Sequence, residues 1–156
     1  MAESPPADAL VRPAGGADLP RLVQLLDFGS LDVGREDPRN LDRYRQALAE
    51  IEATPGCELL VADVEGEVVG VCQLIVFRHI HRRGGLCAEI ESMHVQAEHR
   101  SAGVGTALMG EAIEQARALG CYRVQLTSNR ARDDAHRFYE RLGFVPSHVG
   151  YKLMLS

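Results

Sequence analysis

Residues 86–127 constrain the fold more than any other part of this sequence. "LCAEIESMHV" reads as a strand, 96–103 as a loop, 104–119 as an amphipathic helix and "CYRVQLT" as a second strand. Joined in this order they form one right-handed strand–helix–strand crossover, which sets a helix N-terminus beside the C-terminal end of a strand. Gly103 and Gly105 fall at that junction. Glycine in a helix's first turn costs on the order of 1 kcal/mol relative to alanine, so something near this backbone needs the room.

The remaining elements surround the crossover. "ALVRPA" alternates as a short first strand. "ADLPRLVQLLDF" reads as a helix, with Asp18 as N-cap, Pro20 near the first helical position, and apolar Leu19, Leu22, Val23, Leu25 and Leu26. "NLDRYRQALAEIEAT" is a second helix with Leu41, Tyr44, Leu48 and Ile51 at three-to-four spacing. "CELLVADV" and "EVVGVCQLIVF", separated by "EG", read as a hairpin, and "RHIHRRGG" as a polar loop. In the crossover helix Val104, Leu108, Ala112, Ile113, Ala116 and Leu119 form an apolar stripe that Gly120 ends. "RDDAHRFYERLG" is a last helix and "YKLML" a final strand. Antiparallel hairpins and one crossover together give an α+β chain with a mixed sheet.

The 156 residues suit one domain over 9–156, with 1–8 a disordered tail and no internal repeat. No apolar run approaches the roughly 20 residues that span a bilayer, and "MAESPPADA" lacks the basic and apolar regions of a signal peptide. No membrane partner is therefore expected. The net charge of −5, with no long basic patch, argues against a generic nucleic-acid binder. Cys57, Cys72, Cys87 and Cys121 are scattered without a C-x-x-C pair. That pattern predicts no metal site and no disulfide framework, and suits thiols buried in a reducing cytoplasm.

A helix N-terminus offers unpaired backbone N–H groups and a partial positive charge, which together attract phosphate. Arg100, Ser101, Ala102, Gly103, Val104 and Gly105 would aim such groups outward, and the missing Cβ atoms at the glycines admit a pyrophosphate. The loop is neither a Walker loop, since no G-K-[ST] follows, nor a Rossmann fingerprint, since the third glycine is missing.

"VQAEHRSAGVGTALM", followed about twenty residues later by "VQLTSNRARDDAHRFYERLGF", resembles the GNAT superfamily of acetyl-CoA-dependent N-acetyltransferases over roughly residues 9–155. The resemblance implies a central twisted mixed sheet of six to seven strands flanked by about four helices. Acetyl-CoA is the implied cosubstrate, its pyrophosphate held by the R-x-x-G-x-G loop from Arg100 to Gly105, with Thr106 following. The main chain of Met93, His94 and Val95 would pair with the pantetheine amides like an added strand. Asn129 matches a position contacting the pantetheine or phosphate arm, and Arg132 and Arg137 are in reach of the phosphates or else solvated.

Family members acetylate an amine by direct attack in a ternary complex, without an acyl-enzyme, which leaves the cysteines no nucleophilic role. For the base, "AEIESMHV" offers Glu89, Glu91 and His94. Glu91 is the match to the family's catalytic carboxylate, and a bulge in this strand would move the match by one residue. Glu89 is the next candidate, also placed for substrate binding, and His94 the third. Tyr139 falls where the family's general-acid tyrosine stands, with Phe138 as the neighbouring core residue.

The implied acceptor is a primary amine on a small molecule. Arg82 and Arg83, in a hairpin with Arg78, His79 and His81, would suit an acceptor that also carries phosphate, phosphonate or carboxylate. A solvated hairpin tip is the other reading of that cluster. The C-terminal third is similar to the branch containing aminoalkylphosphonate acetyltransferases. A catalytically silent acetyl-CoA sensor on the same fold is the contrasting expectation, and a homodimer is common among such proteins.

Overall fold

The structure, a computed structural model, describes residues 9–31 and 34–155. The expected tail at 1–8 lies outside the described residues. Five strands form one sheet in chain order: β1 (Ala9–Pro13), β2 (Cys57–Val64), β3 (Glu67–Arg78), β4 (Leu86–Val95) and β5 (Cys121–Leu126). All neighbours are antiparallel except β4 and β5, which the crossover makes parallel. The helices are α1 (Leu19–Gly29), α2 (Asp42–Ala53), the single turn α3 (His81–Gly84), α4 (Val104–Ala118) and α5 (Asp133–Arg141).

The sheet is covered on both faces. On one, α1 and α2 bury Leu19, Leu22, Leu25 and Leu48 against Val61, Val68 and Val71. On the other, α4 buries Val104, Leu108, Met109, Ala112 and Ala116 against Leu60, Cys72, Leu74, Ala88 and Ile90, with Phe138 and Tyr139 of α5 packed alongside. Met109 joins the buried stripe, while Leu119, expected in it, is exposed at the helix end. The β2–β3 hairpin turns through Glu65 and Gly66, both left-handed, and Asp63 Oδ1 accepts from Gly66 N at 2.7 Å.

Three expectations need correction. The sheet has five strands among the described residues, against six to seven expected, because "YKLML" at 151–155 makes no strand pairing. "RHIHRRGG" is one turn rather than an open loop, with Arg82 and Arg83 at φ of 54° and 60°. Asp18 precedes α1 but its side chain does not cap it. Its carboxylate instead accepts from Gly15 N at 2.7 Å and from Arg12 Nη1 at 2.8 Å. Arg12 also reaches Asp63 Oδ2 at 3.0 Å, so this ion network joins β1, β2 and the start of α1.

Candidate active site

The register of β4 sets the site. Gln73 pairs with Glu91 and Val71 with His94, so two residues of β3 span three of β4. The extra residue is accommodated at Ser92, whose φ of +52° lies in the left-handed region. A bulge of one residue reverses the alternation of side chains beyond it. Before it, Glu89 and Glu91 lie on the α1–α2 face, and Ala88 and Ile90 face α4. After it, Met93 and Val95 pack on the α4 side, while His94 turns toward α1.

β5 follows β4 only as far as the pair Ile90–Leu126, whereas β4 continues to Val95. Beyond that pair β4 has no strand on its β5 side. There a cavity of about 1040 Å3 opens between β4, the loop before α4, and α5. It brings together Met93, His94 and Val95 with Arg100, Ser101, Gly103, Gly105 and Thr106, and with Tyr139 from α5. Ala102 and Val104 do not line it. Val104 is 1% exposed and belongs to the core beneath α4, so only its main chain can serve the loop.

The loop glycines have separate reasons. Gly103 sits at φ +83°, a conformation that costs an L-residue about 1 kcal/mol or more. Ser101, also left-handed at φ +64°, bears that cost without being glycine. Gly105 is needed for approach: a Cβ there would meet Phe138 Cζ at 3.1 Å and Met93 Cε at 3.4 Å. The room noticed in the sequence is used first by the packing of α5 on α4, and then by the cavity that both glycines line.

His94 is 8% exposed and packs against α1. A Cβ on Gly29 would fall 1.5 Å from His94 Cε1, so only glycine fits that last turn of α1. Burial, aided by the charges of Arg132 and Arg100, lowers its imidazole to about 4. A neutral imidazole with so low a pKa is a poor proton acceptor near neutrality. The same depression ties His94 to stability. Below about pH 6.5 the unfolded chain takes up a proton that the folded chain refuses until about pH 4, so the folded state loses stability as pH falls through that window. Urea unfolding at pH 7.5 and 5 is expected to differ by roughly 1–3 kcal/mol from this group, and His94→Gln to flatten the difference.

Tyr139 is pulled the other way. Burial raises its phenol above the ordinary value, with Cys72 adding to the effect and Arg132 opposing it. It therefore stays protonated and able to donate at neutral pH. Burial likewise pushes the Cys72 thiol up to about 12, which leaves it inert as a nucleophile.

The remaining sequence-derived residues lie elsewhere. Glu91 is exposed on the α1–α2 face, across β4 from the cavity. Glu89 accepts a hydrogen bond from Gln125 Nε2 at 2.8 Å. Asn129 does not line the cavity, and its Oδ1 accepts from Ala131 N at 2.9 Å, shaping the turn before α5. Arg82 and Arg83 sit at the β3–β4 tip. Seven steps along the strand, roughly 23 Å, separate Leu86 beside that tip from Met93 at the cavity. Arg132 and Arg137 do line the cavity, Arg137 while ion-paired with Asp134. Sequence reading missed Arg141, Phe138, and Ala131 and Asp133–Ala135 on either side of Arg132, as lining residues. Arg141, one helical turn beyond Arg137, was findable from helix periodicity.

A mixed sheet whose parallel pair ends short of a glycine loop at a helix N-terminus matches a known family. The chain belongs to the acetyltransferase (GNAT) family, whose model matches residues 24–144. It is thus an acetyl-transferring enzyme, of a family that generally takes acetyl-CoA as donor. It is 34% identical over 108 residues to the aminoalkylphosphonate N-acetyltransferase of Salmonella typhimurium, covering 69% of this chain and 70% of that one. It is 30% identical over 141 residues to an L-methionine sulfoximine/L-methionine sulfone acetyltransferase of Pseudomonas aeruginosa, covering 87% and 80%. A solved structure titled as a transcriptional regulator from Bacillus halodurans superposes with a TM-score of 0.89 at 35% identity, covering 94% of this chain and 99% of that one.

Among the described residues no helix is long and apolar enough to cross a membrane, and no cluster of His, Cys, Asp and Glu could hold a metal ion.

Proposed function

We propose that this enzyme transfers the acetyl group of acetyl-CoA to the primary amine of a small molecule, by direct attack in a ternary complex. The observation that carries the reading is the cavity of about 1040 Å3 in which the loop from Arg100 to Thr106, the free edge of β4 and Tyr139 meet. In this reading the pyrophosphate lies on the N–H groups at the start of α4, with Arg100 and Arg132 contributing charge. The main chain at Met93–Val95, which no strand covers on the β5 side and whose Val95 O accepts from Arg100 Nε at 3.1 Å, receives the pantetheine as an added strand. One of its N–H groups stabilises the oxyanion as the amine nitrogen bonds to the thioester carbonyl carbon.

The bulge at Ser92 divides the two substrates. It sends Met93 and Val95 to the coenzyme side and leaves Glu91 on the opposite face, where an amine can approach without displacing the coenzyme. Glu91 takes the amine proton as the C–N bond forms. Tyr139 donates its proton to the departing thiolate as the C–S bond breaks. Desolvation that raises the phenol also raises the thiolate's basicity, so donor and acceptor stay matched. The acceptor class is that of the relatives' printed substrates, small molecules bearing an amine beside a polar or anionic group. Arg82 and Arg83 are given no part in this reading, because five steps along β4, roughly 16 Å, separate Leu86 beside their tip from Glu91.

Calorimetric titration tests it. Acetyl-CoA is expected to bind the wild type with a micromolar Kd, and Gly105→Val to weaken binding at least tenfold, because the added methyls drive Phe138 and Met93 into the cavity. A folded Gly105→Val protein with unchanged affinity would place the coenzyme elsewhere.

A further inference from the structure

The tip between β3 and β4 takes no part in the proposed acetyl transfer, yet it gathers basic residues in a chain whose net charge is −5. Arg78, His79, His81, Arg82 and Arg83 fall within residues 78–83, and no Asp or Glu occurs between Glu67 and Glu89. Arg82 and Arg83 hold left-handed φ of 54° and 60°, a conformation that costs residues other than glycine and persists only where the surroundings fix it. Three hydrogen bonds fix it here. Gly84 N donates to Ile80 O at 3.0 Å, Gly85 N to His81 O at 3.2 Å, and Arg78 Nη1 to Gly84 O.

β5 brings a second set of groups to the tip. The Tyr122 ring stacks on His79 with centroids 5.5 Å apart and 8° between the planes, and its hydroxyl shares a hydrogen bond of 2.9 Å with His79 Nε2. The ring lies so near the turn that a Cβ on Gly85 would meet Tyr122 Cδ1 at 3.0 Å. Arg82 from the turn and Arg123 from β5 each hold a guanidinium 5.3 Å from the centroid of this ring. A cation–π contact positions a guanidinium but leaves its fork of N–H groups able to donate. Arg123 Nε donates to Cys87 Sγ at 3.2 Å, and Glu89, whose charge reaches Arg123, is bonded to Gln125. Among the described residues no carboxylate forms an ion pair with Arg78, Arg82, Arg83 or Arg123. Beside Arg82 and Tyr122 a cavity of about 320 Å3 opens, walled also by Gly85, Leu86 and Gly120. Two cations held on one ring without a counter-charge repel each other, and an anion shared between them removes that repulsion.

We propose that this cavity is a second ligand site, and that it takes a phosphate or phosphonate dianion. Arg82 and Arg123 grip the dianion through their N–H forks, as guanidinium groups do with phosphate. The volume is that of a small-molecule pocket rather than of a groove for a polymer. The site stands apart from acetyl transfer. Neither arginine lines the cavity between β4, α4 and α5, and Leu86 lies seven steps along β4 from Met93.

Each cavity is lined by its own pair of glycines, Gly85 and Gly120 in one and Gly103 and Gly105 in the other, so amide resonances read the two separately. The 15N-labelled full chain is titrated with inorganic phosphate and, separately, with glycerol phosphate. Both titrations run at pH 8, where the phosphate is a dianion and ordinary histidines are neutral, with chloride holding the ionic strength constant. Gly85 and Gly120 are expected to shift saturably, with a half-point on the order of 1 mM. The anion with the lower half-point identifies the source, free phosphate or a small organic phosphate. Arg82→Asn, which tolerates the left-handed turn, and Arg123→Gln are each expected to raise the half-point at least fivefold. Gly85 and Gly120 resonances that stay still up to 50 mM of either anion overturn the proposal. So does an unchanged half-point in the doubly substituted protein, or a shift confined to Gly103 and Gly105, which would place the dianion in the other cavity. Should a variant fail to fold, the wild-type titrations decide alone. None of these readouts depends on catalysis.

Discussion

Tyr139→Phe is expected to lower kcat about 100-fold while acetyl-CoA affinity stays within about twofold. The substitution removes one oxygen from a cavity wall that otherwise keeps its shape, with the ring still packed beside Phe138 and Phe144. What is lost is the proton for the leaving thiolate, and positioned general acids contribute about 100- to 10,000-fold. The effect belongs in kcat, because the proton is needed only as the C–S bond breaks. It should shrink toward nothing with an acetyl thioester whose thiol is strongly acidic, since that thiolate leaves unprotonated. A large rise in the acetyl-CoA Kd, or normal turnover, would contradict the assignment and make Tyr139 a packing residue.

Glu91→Gln carries the second large effect, a loss of roughly 30- to 100-fold in kcat/KM for the amine. The pH dependence has a definite sign. At low pH more of the acceptor arrives as ammonium, whose proton must leave on the enzyme before attack. The deficit therefore grows as pH falls and narrows as pH rises toward the pKa of the amine. Steady-state rates from pH 6 to 9.5 measure it. A deficit independent of pH would give Glu91 a binding role, and no deficit would move the base to Glu89 or to solvent.

The fold was largely legible because its elements advertise themselves by period. The bounds expected for β4 are those found, 86–95, and the run of strand, loop, helix and strand after it could close in only one hand. The final strand at 151–155 was misread for a physical reason. Alternation shows that a segment can be a strand, but a strand also needs an edge to pair with, and local sequence does not say where that edge is. Arg82 and Arg83 show the related point that nearness in sequence is not nearness in space: seven steps of extended chain, from Leu86 to Met93, set their tip at the opposite end of β4 from the cavity.

In the candidate site, the loop glycines were readable because glycine is chosen for conformation and space. The reversal at Ser92 was not, since serine gives no local sign of a positive φ, and nothing but the pairing of β3 with β4 reveals the extra residue. Phe138 was expected in the core rather than at the cavity. It serves both, because Gly105 lets its ring lie directly on α4 while its edge reaches the open space.

The most direct test is release of free thiol from acetyl-CoA across a panel of amines, including aminoalkylphosphonates, amino-sugar phosphates, amino acids, polyamines, aminoglycosides and short peptides. The account predicts thiol release strictly dependent on one class of small primary amine, with the N-acetyl product confirmed by mass. Intersecting initial-rate lines should mark a ternary complex. Bound acetyl-CoA with no amine-dependent release from any member of the panel would contradict it.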